Sequence, residues 1–439
     1  MNLSKKLGVS FLCFSMATLA GGAVASAAVD VNDASEESLS GEYGRAYEAA
    51  GYEVTFYYHD EDPAIEKVEL FSQSGFQFFK TLEVGNYIIT GVNQANIYSA
   101  YEYEEGMYPC AGATCYYEMT KGEDGTYSVT LPLPATQYLY KYKITYAESD
   151  GRGEVEIQDP DNPAESNGDS NSGWSQIYVG DADHALKGME YIYPREDGKT
   201  GTVTYAEYEA LDGTTQPLGI YLPYDYDSSK TYKTVYMSHG AGGNETEWLS
   251  IGSVPNIMDN LYADGEIEDT IVVTMDNLIW YIPDVPFISA WDWEKLNENL
   301  LECIIPYIEE NYSVSSDPDD RAFCGLSMGS IGASAIVQQW PDSFGYYGCF
   351  SAANNGIDVS TWDVEAMKEK TIFVSAGMLD MALMNGNYDN PEKDNTSRNF
   401  SEHLTEAEIP HTFTTFPGMH DWNVWVASFT CFAKEILWQ

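Results

Sequence analysis

The chain has 439 residues, enough for two cores rather than one, and its 69 acidic against 21 basic side chains give a formal net charge of −48. A surface of that sign repels phosphate backbones and anionic lipid, which argues against nucleic-acid and membrane partners and leaves neutral substrates such as polysaccharides open. Seven cysteines and six histidines include no Cys-x-x-Cys pair and no His-rich cluster, so neither a metal nor a cofactor is expected.

In chain order, Lys5 and Lys6 precede an apolar run from Leu7 to Ala20, and small residues fill Ala23-Val24-Ala25-Ser26-Ala27. Residues 1–27 therefore read as a signal peptide, and the protein as secreted and extracellular. A membrane anchor is the weaker reading, because the run falls short of the roughly 20 residues a bilayer needs and is interrupted by Ser10 and Ser15. A lipid anchor on Cys13 is weaker still, since Phe11-Leu12 stand where a small residue is expected.

From Tyr52 to about Val179 the pattern alternates in the manner of strands, as in Tyr52-Glu-Val-Thr-Phe-Tyr57, Thr126-Tyr-Ser-Val-Thr-Leu131 and Tyr140-Lys-Tyr-Lys-Ile-Thr-Tyr146. Asp124-Gly125 and Asp150-Gly151 supply turns between such runs, and the whole predicts an antiparallel β-sandwich that, with its linker, occupies residues 28–190. Asp159 to Gly173 lacks apolar periodicity and reads as a long loop in or beside the sandwich. Cys110-Ala-Gly-Ala-Thr-Cys115 looks like a turn, so a local Cys110–Cys115 disulfide is expected. Cys303, Cys324, Cys349 and Cys431 sit in apolar contexts and read as buried thiols.

A boundary falls around Asp181 to Lys199, and residues 191–439 form the second unit. Here short apolar strands (Thr234 to Met237, Ile271 to Met275, Ala322 to Cys324, Tyr347 to Phe350, Thr371 to Ser375, Thr412 to Phe416) alternate with helical stretches. Such alternation means an α/β fold, a parallel sheet covered on both faces, with ligands met by loops beyond the carboxyl ends of the strands.

Gly325-Leu-Ser327-Met-Gly329 lies between one of these strands and a helical stretch, the setting of the nucleophile turn of α/β-hydrolases, and makes Ser327 the candidate nucleophile. A serine needs a base, itself oriented by a carboxylate, and the chain order in this fold is Ser, acid, His. Of the three histidines after Ser327, His403 falls in a helical stretch, His411 opens the last strand at its amino end, and His420 lies just beyond that strand's carboxyl end. His420 is therefore the candidate base. Asp380, in the loop after Thr371 to Gly377, is the candidate acid, with Asp389, Glu392 and Asp394 as competitors; Asp421, next to the base, is expected to point away. Oxyanion donors are expected from the Met328 amide and from His239-Gly-Ala-Gly-Gly243, with Ala241 first and Gly242 second. No Gly-Lys-Ser/Thr follows that loop, which argues against a phosphate cradle, and His239 reads as structural. Trp248 and Trp422 are placed to line an acyl or sugar pocket, with a core role equally open.

Three blocks, His239-Gly-Ala-Gly-Gly-Asn-Glu-Thr-Glu-Trp248, Arg321-Ala-Phe-Cys-Gly-Leu-Ser-Met-Gly329 and Gly418-Met-His-Asp-Trp-Asn-Val-Trp425, resemble the signatures of carbohydrate esterase family 1, over roughly Leu218 to Trp438. That family holds feruloyl and acetylxylan esterases and esterase D-like relatives. Ser330 departs from it where a second Gly is common, as does the Met378-Leu379 approach to Asp380. The sandwich resembles, more faintly, the immunoglobulin-like family 48 carbohydrate-binding module, at Tyr140-Lys-Tyr and Asp159-Pro-Asp-Asn-Pro163. These resemblances imply a serine carboxylesterase acting on acylated plant cell-wall polysaccharide, feruloyl on arabinoxylan first and acetyl second. They imply a sandwich that binds glycan or, preferably, packs against the esterase and shapes its cleft. The rival readings are a siderophore-ester hydrolase or acyltransferase of the same fold, and a glycan-binding protein with an inactive esterase domain.

Overall fold

The computed structural model describes residues 51–79, 97–166, 168, 173–282, 291–383 and 396–439; the expected signal peptide lies outside the described residues. The first nine strands are β1 (Tyr52–His59), β2 (Ile65–Phe79), β3 (Ile97–Ser99), β4 (Tyr108–Glu118), β5 (Thr120–Lys121), β6 (Thr126–Leu133), β7 (Gln137–Tyr146), β8 (Glu154–Ile157) and β9 (Ser175–Tyr178). They pair antiparallel in two sheets, β1-β6-β5 and β3-β2-β7-β8, with β4 also on β2 and β9 on β7. The alternation seen in the sequence is the cause: Val54, Phe56 and Tyr58 of β1 and Val129 and Leu131 of β6 turn inward onto Val68 and Leu70 of β2.

Two local readings change. The stretch Cys110 to Cys115 belongs to strand β4, where Cys115 stands opposite Ser72 and Ala111 opposite Ser74, so the register shifts across residues 112–114 within the strand and the chain does not turn back. Cys115 is a free thiol, which corrects the expected disulfide; the side chain of Cys110 lies outside the described residues. The Asp159 loop, in turn, is pinned at its start: Tyr140 and Tyr142 donate hydroxyl hydrogen bonds of 2.6 and 3.2 Å to the buried Asp159 carboxylate.

A third sheet has eight strands, β10 (Thr202–Glu209), β11 (Thr215–Leu222), β12 (Lys233–Ser238), β13 (Thr270–Met275), β14 (Arg321–Leu326), β15 (Tyr346–Phe350), β16 (Thr371–Gly377) and β17 (Thr412–Phe416). Their spatial order is β10-β11-β13-β12-β14-β15-β16-β17; the first two are antiparallel additions and the rest run parallel. The parallel strands are those read from the sequence, because β12 to β16 are buried on both faces and mostly apolar, whereas the last strand, β17, buries only Phe416 fully. Neither β10 nor β11 is among the strands read from the sequence; β10 gives little signal because it buries only Tyr208 and leaves the rest to solvent or half-buried.

Helices cover both faces: α1 (Val254–Asp264) and α7 (Trp422–Glu435) on one, α2 (Trp293–Asn299), α3 (Ile305–Asn311), α4 (Met328–Gln339), α5 (Val364–Lys368) and α6 (Ser397–Glu406) on the other. The segment joining the sandwich to the eight-stranded sheet is strapped down rather than free. Met189 and Ile192 are buried beside α1 and α7, and the Asn256 and Asn260 side chains donate to the carbonyls of Ile192, Tyr191 and Tyr193 at 2.8 to 2.9 Å. Among the described residues no helix is long and apolar enough to cross a membrane, and no three His, Cys, Asp or Glu side chains cluster as metal ligands.

Candidate active site

Strand β14 ends at Leu326 and α4 begins at Met328, leaving one residue, Ser327, to reverse the chain. It does so at φ 50°, ψ −112°, a conformation L-residues rarely adopt. The flanking glycines are what permit it. A Cβ on Gly325 would fall 2.7 Å from the Gly329 carbonyl carbon, and one on Gly329 only 2.5 Å from the Ser238 oxygen. The turn is fastened by the Ser327 N–H donating to the Phe350 carbonyl at 2.9 Å. Ser330, the departure from the family pattern, is accommodated by donating its hydroxyl to the Ala352 carbonyl at 2.6 Å.

Beyond the neighbouring strands, two loops meet over this serine. The Met378 and Leu379 amides donate to the carbonyls of Phe416 and Gly418 at 2.8 and 2.9 Å, so the turn after β16 and the loop after β17 are hydrogen-bonded to each other. That pairing sets Asp380 beside His420, with Nδ1 3.0 and 3.1 Å from the two carboxylate oxygens, and brings His420 Nε2 to 2.9 Å from the Ser327 hydroxyl. With Nδ1–H donating to Asp380, Nε2 carries the lone pair and is placed to accept the hydrogen bond of the Ser327 hydroxyl. The Asp380 side chain is wholly buried while that of His420 stays 29% exposed, open to a reacting molecule. Burial works to raise the Asp380 carboxyl, but the His420 charge, the His420 hydrogen bond and the Ala382 amide at 2.7 Å outweigh it and hold it below its usual value. For His420, burial works downward and the Asp380 charge and hydrogen bond overcome it, raising the imidazole above its ordinary value.

The loop after β12 lies against the same serine: a Cβ on Gly240 would sit 3.6 Å from Ser327 Cβ. Gly242, at φ 77°, turns it, and the Gly243 amide is consumed by the Gly240 carbonyl at 3.1 Å. The amides of Ala241 and of Met328, the first residue of α4, have no acceptor among the described residues, so both remain able to hold an anion. His239 anchors this loop from within the core. It is fully buried, its Nδ1–H donates to the Gly240 carbonyl at 2.6 Å, and its Nε2 accepts from the Asn277 amide at 3.2 Å with Asp276 at 3.3 Å.

Ser327, His420, Asp380, Met328, Ala241 and Gly242 are thus brought together at one sheet edge. His411 is held away from it, bonded to the Ser401 hydroxyl and the Ile409 carbonyl, and His403 sits on α6 against Trp362. Asp421 turns from the site to cap α7, accepting from the Asn423 and Val424 amides at 3.0 and 3.4 Å. Asp389, Glu392 and Asp394 lie outside the described residues. Trp248 and Trp422 are corrected: at 1% and 6% exposure, packed ring to ring 5.4 Å apart, they are core beneath the loops and not pocket walls. Trp248 spends its N–H on the Ser238 carbonyl at 3.0 Å. The ring that does meet the imidazole of His420 is Trp425, 5.1 Å away and edge-on to it; its place one turn after Asp421 is the available signal.

A carbonyl carbon placed over Ser327 would meet a hydroxyl hydrogen-bonded to a base and a neighbourhood with two amides that have no other acceptor among the described residues, the requirements of acyl transfer. In agreement, the model of the Esterase family matches residues 210–435, just over half of the chain. The chain is 32% identical over 203 residues to an endo-1,4-beta-xylanase/feruloyl esterase of Xylanibacter ruminicola, covering 44% of this chain and 27% of that protein. It is 27% identical over 213 residues to endo-1,4-beta-xylanase Y of Acetivibrio thermocellus, covering 43% of this chain and 19% of that protein. The chain therefore spans about a quarter or less of the length of these two relatives. Among solved structures, the enterobactin esterase FES of Shigella flexneri matches at a TM-score of 0.51 and 14% identity over 89% of this chain and 95% of its own, a likeness of fold. A ferulic acid esterase of Anaeromyces mucronatus matches at a TM-score of 0.46 and 25% identity over 56% and 94%.

Proposed function

The chain belongs to the Esterase family, and on that premise we propose that it is a secreted serine carboxylesterase that removes acyl groups, feruloyl first and acetyl second, from plant cell-wall polysaccharide. The observation that carries the reading is the unbroken series of hydrogen bonds from Ser327 through His420 to Asp380, at 2.9 and 3.0 Å.

In this mechanism the Ser327 oxygen attacks the ester carbonyl carbon as its proton passes to His420 Nε2. Asp380 keeps the ring in place and offsets the positive charge it acquires. The Met328 and Ala241 amides receive the negative charge on the former carbonyl oxygen. The imidazolium then gives its proton to the departing alcohol, leaving the acyl group on Ser327. A water molecule, deprotonated by the same nitrogen, attacks this acyl-enzyme; collapse returns the proton to Ser327 and frees the acid.

The feruloyl and xylan assignment is supported by the identities of the two xylanase relatives, one of which is also a feruloyl esterase. Export is supported by the pattern of residues 1–27. The siderophore-ester alternative has only a likeness of fold behind it. The test is turnover of methyl ferulate beside an aryl acetate. Ser327→Ala, folded as judged by circular dichroism, should lose at least about a thousandfold in kcat on both. A folded Ser327→Ala that keeps its rate contradicts the mechanism, and the same rate on both esters or preference for the acetate contradicts the feruloyl assignment.

A further inference from the structure

The loops that carry the active site are held by regular structure only at their ends. Asp380 lies three residues past the end of β16 and His420 four past the end of β17. Residues of the sandwich pack against both loops.

Phe79, the last residue of β2, is 1% exposed and forms an apolar cluster with Leu379, the residue before Asp380. Ile97, the first residue of β3, and Met419, the residue before His420, pack against the same pair. One aromatic ring from the sandwich thus closes the junction between the acid turn and the base loop. Further along, the Thr136 hydroxyl donates to the Asn423 side-chain oxygen at 3.3 Å, in the first turn of α7. The oxyanion loop is met as well. Gln137 donates to the Ile251 carbonyl at 2.9 Å and accepts from the Ser253 hydroxyl at 2.6 Å, where the chain takes a left-handed turn into α1. A Cβ on Gly168 would lie 2.7 Å from the carboxylate of Glu247, which is buried under that loop.

A module that merely shared the chain would touch scaffold. This one touches the residues next to the acid and the base, and the segment that follows the oxyanion donors. We infer that the sandwich is a positioning element of the active site and that Phe79, through Leu379 and Met419, sets the separation of Asp380 and His420. The inference rests on the hydrolase reading above and adds to it: the sandwich acts on the chemical step even for an ester too small to reach it. Displacement of a catalytic group by about an ångström can cost up to a hundredfold in rate, so loosening this junction should register in kcat.

The experiment is steady-state hydrolysis of p-nitrophenyl acetate by the full chain and its variants, each with its thermal unfolding recorded. Phe79→Ala should lower kcat about tenfold with KM changed less than about twofold, and Phe79→Leu, which keeps an apolar side chain against Leu379, should recover most of the loss. Val68→Ala, in the sandwich core and away from these loops, should leave kcat within about twofold of the unsubstituted chain although it destabilises the sandwich. Unchanged kcat in Phe79→Ala, or an equal loss in Val68→Ala, overturns the inference while leaving the hydrolase reading intact. If Phe79→Ala does not fold, Gln137→Leu, which deletes the bonds to Ile251 and Ser253 at similar volume, must lower kcat in the same manner, and its failure to do so overturns the inference. Absence of turnover in the unsubstituted chain overturns both.

Discussion

A serine hydroxyl holds its proton far too tightly to be a nucleophile at neutral pH, so in the proposed mechanism the reactivity of Ser327 depends on His420 and, behind it, on Asp380. The imidazole works as a base only when neutral, and the carboxylate next to it raises its pKa above the ordinary 6.5. The acid limb of kcat/KM should accordingly have its midpoint above pH 6.5, activity falling as pH drops through it. Asp380→Asn removes the raising charge. It should move that midpoint to lower pH and cut kcat on the order of a thousandfold or more, whereas an unmoved midpoint in the pH–rate profile would show that another group orients the base. The stability linkage runs the other way for the carboxylate. Held below 3.8, Asp380 favours the folded state above that value and ceases to as pH falls through its lowered pKa. Of these residues, Ser327 and His420 are legible from motif and chain order, and the turn after β16 points to Asp380. The misreadings are of residues whose chemistry suits two places. Trp248 and Trp422 carry both an apolar body and a donor, and only the packed structure shows that Trp248 places its donor on the Ser238 carbonyl inside the core.

The strained turn at Ser327 persists because the elements on either side are packed too tightly to relax. Every residue of β14, and of α4 from Met328 to Gln338, is buried. Gly329 sits where α4 approaches β12, so Gly329→Ala must push the Ser238 backbone aside, at a cost of about 1–3 kcal/mol in chemical denaturation. An alanine variant as stable as the original would mean that the elbow has room to spare. The elements themselves were legible to the extent that burial is two-sided. Strands β12 to β16 announce themselves as apolar runs, while β10, buried at a single position, gives no such signal. The Cys110 to Cys115 stretch misleads for a related reason: the register shifts within a strand there, and from sequence a glycine-containing bulge and a turn look alike.

At the scale of the whole molecule, what matters is that residues 327, 380 and 420 become neighbours only when the sheet is assembled, and that the sandwich is packed against the loops that present them. Alternation could predict a sandwich and a parallel sheet, yet it carries no record of how the two units face each other. That arrangement is written in single contacts such as Phe79 on Leu379 and Gln137 on Ile251. The charge of −48 agrees with a neutral glycan substrate but does not select one. The most direct test of the assembled site is covalent labelling of the full chain with a fluorophosphonate, located by peptide mass mapping. The native protein should take one equivalent on Ser327, lose that reactivity when unfolded in urea, and lose it again in folded His420→Ala. Labelling of another serine, or undiminished labelling of Ser327 without His420 or without the fold, would contradict the account.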